Sequence, residues 1–179
     1  MATVRRTSLL FLAGTIMLIA VCLPARSAEI TTPEKFLGFK VGADYKLATY
    51  EQAIGYLELL ASQSPRIKVL DMGPTSMGRR QKYAVISSEE AMKDLDRFKG
   101  ITKKLSLARG TAAAEAHKLA EEGKAVVYID GGMHASEVVG SDQQIQLAYD
   151  LVTGEDRQTK LIRDLTGQSV LILYFLEQV

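Results

Sequence analysis

Apolar residues recur at more than one spacing along this chain, and the spacing changes mark its elements. Between residues 49 and 65 they follow a helical period: Ala53, Tyr56, Leu57 and Leu60 share one face, and Pro65 closes the run. Thr49 followed by Gln52 has the form of a capping box, in which each side chain satisfies a backbone N–H of the other. The spacing predicts a helix. RIKVLDMG (66–73) and RQKYAVISS (80–88) read as two short strands, joined by the turn-forming GPTSMGR. EEAMKDLDRFKGITKKLS (89–106) returns to helical spacing through Ala91, Leu95 and Phe98, with Gly100 as an expected interruption. TAAAEAHKLAEEG (111–123) predicts a short helix from its alanines and closing glycine.

AVVYID (125–130) is different. It is apolar on both faces, the signature of a central strand in a parallel sheet. Helical spacing resumes in residues 136–154 through Val138, Ile145, Leu147 and Leu151, and DRQTKLIRDLTG predicts one further helix. SVLILYFLEQV (169–179) reads as another doubly buried strand. Residues 31–48, with their spaced glycines and proline, show little periodicity and are expected to form an ordered lead-in or a docking arm. The order of elements argues an α/β fold, a mixed and mostly parallel sheet layered with helices. Ser169–Leu176 calls for an interior strand with only three residues after it, so the domain reads as truncated.

The first residues stand apart from this pattern. MATVRR carries positive charge, residues 8–23 carry none, and PARSA offers Ala25 and Ser27 at the −3 and −1 positions of a cut after Ser27. That three-part layout is a secretory signal peptide, so residues 1–27 are expected to be removed and residues 28–179 to be exported, with no membrane attachment after cleavage. The sixteen-residue apolar run is just short of a membrane span. Without Arg5, Arg6 and Arg26 the chain keeps 19 basic against 21 acidic residues, a net charge of −2 instead of +1. A near-neutral surface offers no electrostatic footprint for nucleic acid. Cys22 is the single cysteine and leaves with the signal, so no disulfide staples the remainder. About 150 residues suffice for one core, and one domain is expected.

Candidate chemistry concentrates just after AVVYID. In GGMHASE, His134 and Glu137 stand three apart, a spacing that brings side chains to one side of a helical turn. An imidazole nitrogen and a carboxylate oxygen there can meet on one ion, and zinc accepts both. The place fits, because ligands of open α/β sheets gather at the carboxyl ends of strands. Gly131 and Gly132 would let the backbone turn sharply. Asp130 could orient the imidazole or cap the turn. The plainer alternative is that His134 caps a helix and Glu137 complements its positive end.

GGMHASE after a buried strand resembles the zinc-binding segment of the carboxypeptidase A-type metallocarboxypeptidases (metallopeptidase family fourteen). GPTSMGRR resembles the family's short Ser-x-Gly-Arg turn, and PEKFLGFKVGADYKLATYEQ resembles the lead-in of exported bacterial members; together the likeness spans residues 33 to about 173. The resemblance implies a zinc cofactor, peptide or protein C-termini as substrate, and His134 and Glu137 as the first two zinc ligands. It also implies a mechanism in which zinc polarises the scissile carbonyl and activates water, a glutamate serves as general base, and arginines hold the substrate carboxylate. Ser136 stands where many relatives carry an arginine. The third ligand, the asparagine–arginine pair, the tyrosine and the general base have no matching position before Val179, so no catalytic residue is assigned, Glu177 included. His117 sits in an alanine-rich amphipathic stretch and reads as a surface histidine. Arg79 and Arg80 read as solvated in their turn; Tyr45, Tyr50 and Tyr56 read as core or rim. The resemblance leads to two expectations: a partial, inactive exported zinc carboxypeptidase, or a non-catalytic exported binding module that retains part of a metal site.

Overall fold

The computed structural model describes residues 29–134, 136–165 and 169–175, with residues 164, 165 and 169–175 described by backbone alone. The expected signal peptide, Cys22 and the last four residues lie outside these. A short helix α1 (Pro33–Leu37) opens the described chain. Thr32 caps it by accepting from Lys35 N, Pro33 occupies its first turn and Gly38 ends it in the left-handed region, at φ 77°. The lead-in is therefore ordered, and it holds a helix that five residues without periodicity could not announce.

α2 (Tyr50–Gln63) begins with the expected capping box: Thr49 Oγ1 accepts from Gln52 N, and Gln52 Oε1 accepts from Thr49 N. β1 (Ile67–Pro74) and β2 (Arg80–Ile86) pair antiparallel, with Ile67 opposite Ile86 and Val69 opposite Ala84. A bulge between Asp71 and Gly73 bends β1 where the turn begins. α3 (Glu89–Lys93) and α4 (Leu95–Leu107) replace the single helix expected over residues 89–106. The break falls at Asp94, whose φ −103° and ψ 20° leave the helical region, and not at Gly100, through which α4 runs unbroken.

α5 (Ala113–Glu122) leads to β3 (Ala125–Gly131), followed by α6 (Val138–Thr153), α7 (Arg157–Lys160), a π-helical turn at Leu161–Leu165, and β4 (Ser169–Phe175). The strand order in the sheet is β1-β2-β4-β3. β4 enters between β2 and β3, antiparallel to the first and parallel to the second. This is a mixed α/β architecture, but the expectation of a mostly parallel sheet is corrected: one of these three pairings is parallel. A five-residue turn can only return the chain antiparallel, whereas the β3-to-β4 connection is long enough for a crossover through α6.

AVVYID takes a different place from the one its composition suggests. It forms the edge strand among the described residues, and Val126, Val127 and Tyr128 are 43–53 % exposed. The interior position expected of SVLILYFLEQV is the one β4 takes among the described residues.

Side chains alternate across the sheet as strand geometry demands. Ala84 and Ile86 of β2 face one way, into a core with Ile67 of β1, Tyr56, Leu57 and Leu60 of α2, and Ile145, Ala148 and Val152 of α6. Val85 faces the other way, onto Met92 and Leu95. Helices thus cover both faces: α2 and α6 on one, α3 and α4 on the other. Among the described residues no helix is long and apolar enough to cross a membrane.

Candidate metal centre

β3 and β4 end level with each other, Gly131 opposite Phe175, and β2 begins at that same end of the sheet. The loop of residues 132–137 leaves β3 here and enters α6. Gly132 makes the exit possible by taking φ +76°, a conformation costly to residues with a Cβ. Gly131 makes α6 possible at this distance, because a Cβ on it would stand 2.5 Å from Gly140 O and 2.6 Å from Gln144 Nε2.

His134 and Glu137 meet on the turn ahead of α6. Glu137 N donates to His134 O at 2.9 Å, closing the turn. Glu137 Oε1 lies 2.7 Å from His134 Nδ1, and Glu137 Oε2 accepts from His134 N at 3.2 Å. The carboxylate is therefore held by the imidazole first and the backbone N–H second, and both hold its carboxyl below the usual range. Both side chains remain open to solvent, 71 % and 51 % exposed.

The pair is brought together, though not inside a helix as i, i+3 spacing suggested. Glu137 occupies the N-cap position of α6 without a side-chain cap bond. Its carboxylate turns to His134, while its place at the N-cap keeps a negative charge at the positive end of α6, as the plainer alternative expected of Glu137; among the described residues His134 makes no capping bond. At this separation the imidazole nitrogen and the carboxylate oxygen are hydrogen-bonded to each other, and both are donor types that zinc accepts. The donor set fits zinc as far as two ligands go.

Other residues fall out differently. Among the described residues no hydrogen bond joins Asp130 to His134, whose Nδ1 goes to Glu137. His117 lies on α5, which buries none of its residues, as its amphipathic setting suggested. Among the described residues no cluster of three His, Cys, Asp or Glu side chains could hold a metal. Arg80 is not simply solvated: its Nη2 pairs with Asp71 Oδ2 at 2.6 Å across the β1–β2 turn. Tyr56 is fully buried and donates to Thr31 O, while Tyr50 OH donates to Arg80 O and accepts from Lys82 N. Tyr45 is neither core nor rim; it is fully exposed at φ 59°.

Sequence reasoning missed the polar side chains beneath the site. Asp142 and Gln144 of α6 are buried, at 6 % and 2 % exposure. Asp142 Oδ1 accepts from Ala48 N and so ties the lead-in to α6. Burial pushes its carboxyl above the usual range. Gln144 and Ser141 present buried polar atoms without hydrogen-bond partners among the described residues. The signal was the run SDQQ, which interrupts the apolar stripe of a helix that should turn one face inward.

Residues 53–173 match the family model described as zinc carboxypeptidase. No curated protein matches the chain.

Proposed function

The chain belongs to the zinc carboxypeptidase family, and from that premise we propose that its His134–Glu137 turn supplies two protein ligands of the zinc site in an exported peptidase that removes residues from peptide C-termini. The observation that carries this reading is the 2.7 Å approach of His134 Nδ1 to Glu137 Oε1 at the carboxyl end of β3.

Zinc is the cofactor of the family, and when bound it supplies Lewis-acid polarisation of the scissile carbonyl and of a water molecule. The residues of this chain do the rest of what is proposed here. His134 offers Nδ1 and Glu137 offers two carboxylate oxygens, while Gly131 lets β3 pack close against α6 and Gly132 lets the loop leave the strand at φ +76°. Loading through Nδ1 would require the imidazole proton on Nε2, and the Nδ1–Oε1 hydrogen bond would give way to the metal. The charge layout of residues 1–27 supports export.

Two donors are one short of the three protein ligands that catalytic zinc sites use. Residues 29–175 by themselves are therefore proposed to hold the metal weakly and not to turn over. The second reading is a binding module that keeps part of a metal site.

Titration of zinc into the chain from residue 28, alongside His134→Ala and Glu137→Gln, tests the site. Binding in the micromolar range or tighter that both substitutions weaken by about tenfold or more supports it. Equal affinity in all three proteins removes it. Release of the C-terminal residue from a blocked dipeptide separates the two readings.

A further inference from the structure

A second concave surface lies on the opposite face of the sheet from α6. It is a groove of about 520 Å³ between α4 and the strands, within the range of roughly 300–1,000 Å³ typical of small-molecule sites. Tyr83, Val85, Leu95, Phe98 and Val126 make its apolar lining. Three lysines, Lys99, Lys103 and Lys124, stand around it against one acid, Asp96.

Those cations are only loosely engaged. Lys99 reaches Asp96 only at 3.8 Å, and Lys124 Nζ sits 5.1 Å from the centre of the Phe98 ring. No salt bridge engages Lys103 or Lys124 among the described residues. The hydroxyls of Thr102 and Ser106 lie on the same rim.

Gly100 faces open space on the groove. It lies in the interior of α4 and lines the groove, and a Cβ built on it would meet nothing within 4 Å. A mid-helix glycine costs about 0.5–1 kcal/mol relative to alanine. Neither packing nor backbone conformation requires one here, and its effect is to leave space above an apolar floor.

We propose that this groove binds a long-chain carboxylate, with the alkyl tail on Val85, Phe98 and Val126 and the head among Lys99, Lys103 and Lys124. An apolar trough with a cationic rim is complementary to an anionic amphiphile. It is poorly matched to a cationic or a purely polar ligand.

Dodecanoate below its critical micelle concentration, titrated calorimetrically into the whole chain, is the probe, with dodecyltrimethylammonium as the control that keeps the tail and inverts the head. Saturable dodecanoate binding is expected with Kd on the order of 10 µM, and at least about tenfold weaker binding of the cation. Lys103→Ala combined with Lys124→Ala should weaken dodecanoate by about tenfold. Gly100→Leu should abolish binding while the thermal midpoint holds or rises, because leucine favours the helix and fills the groove. Equal affinity for the two head groups overturns the proposal, as does indifference to Gly100→Leu. So does sedimentation as a dimer that Gly100→Leu dissociates, since a second copy would then occupy the groove.

Discussion

Gly131 and Gly140 touch backbone to backbone where β3 gives way to α6: a Cβ on Gly131 would lie 2.5 Å from Gly140 O, while a Cβ on Gly140 would lie 3.4 Å from Gly132 N. The asymmetry decides which glycine is required. Gly131→Ala forces a strand and a helix apart and is expected to cost about 2–4 kcal/mol. Because the loop of residues 132–137 is strung between those two elements, zinc uptake should weaken as well. Gly140→Ala should be tolerated, and the helix should gain up to about 1 kcal/mol. Chemical denaturation of both variants checks the order. Equal losses would mean that the contact does not set the spacing.

How much of this was legible beforehand can be argued from single residues. Thr49 and Gln52 announced α2 because a capping box is local, needing no knowledge of what packs nearby. His134 and Glu137 were legible as a pair, since three-residue spacing on one turn limits where two side chains can go. Their use of the turn before α6, and not of the helix itself, depended on Gly132 adopting a left-handed φ. That is a choice the sequence permits but does not dictate. Val126 and Val127 told part of the story: the strand pairs parallel with β4 as expected, but among the described residues it lies at the edge, since apolarity on both faces records what a strand can bury, not which strand lies beside it. The insertion of β4 between β2 and β3 is a long-range event, and no local pattern encodes it. Asp142 and Gln144 look like solvent residues by type, and only the packing of α6 takes them inside.

Asp142 makes the pH dependence of stability informative. Burial raises its carboxyl in the folded state above the ordinary value of 3.8. Between those two values the unfolded chain has already lost the proton that the folded chain keeps, so stability falls as pH rises through the window and stays reduced above it. The substitution Asp142→Asn keeps an oxygen to accept from Ala48 N but cannot ionise. The variant's stability relative to the parent should therefore rise with pH through the window and then level off. Thermal midpoints measured from about pH 3.5 to 8 test this, the lower limit lying near the unfolded carboxylate value. A relative stability that falls with rising pH would contradict it.

Arg163 is buried and closes the end of α6 from below. Its Nη1 donates to Leu151 O at 3.0 Å, Val152 O at 3.3 Å and Gly154 O at 2.9 Å, carbonyls that the end of the helix leaves unsatisfied. Glu155 lies 3.5 Å from its Nη2 and offsets the charge at the surface side. Arg163→Met roughly keeps the volume and removes the donors, and should cost about 2–4 kcal/mol. Arg163→Lys should recover part of the loss, because all three carbonyls accept from the single nitrogen Nη1 and an ammonium also donates from one nitrogen, while the Nη2 contact to Glu155 is lost. Urea unfolding of the pair reads this: no recovery by lysine over methionine would mean that the guanidinium itself, and not one charged donor nitrogen, closes the helix end.

Among the described residues β3 is an edge strand, and that position carries the last consequence. An exposed strand edge is a template for pairing with another chain, and natural edges are commonly guarded by charges, prolines or bulges. β1, the other edge among the described residues, has such guards: Lys68, Asp71 and the bulge before Gly73. β3 begins Ala-Val-Val-Tyr with no charge before Asp130, and Val127 is 45 % exposed. Val127→Lys places a solvated cation in the middle of that run and removes little buried surface. It should lower self-association markedly while changing the stability of the monomer by less than about 0.5 kcal/mol. Light scattering during slow heating, set beside the unfolding midpoint of the same samples, reads the two effects separately. Unchanged scattering from Val127→Lys would mean that aggregation, where it occurs, starts from a surface other than the free edge of β3.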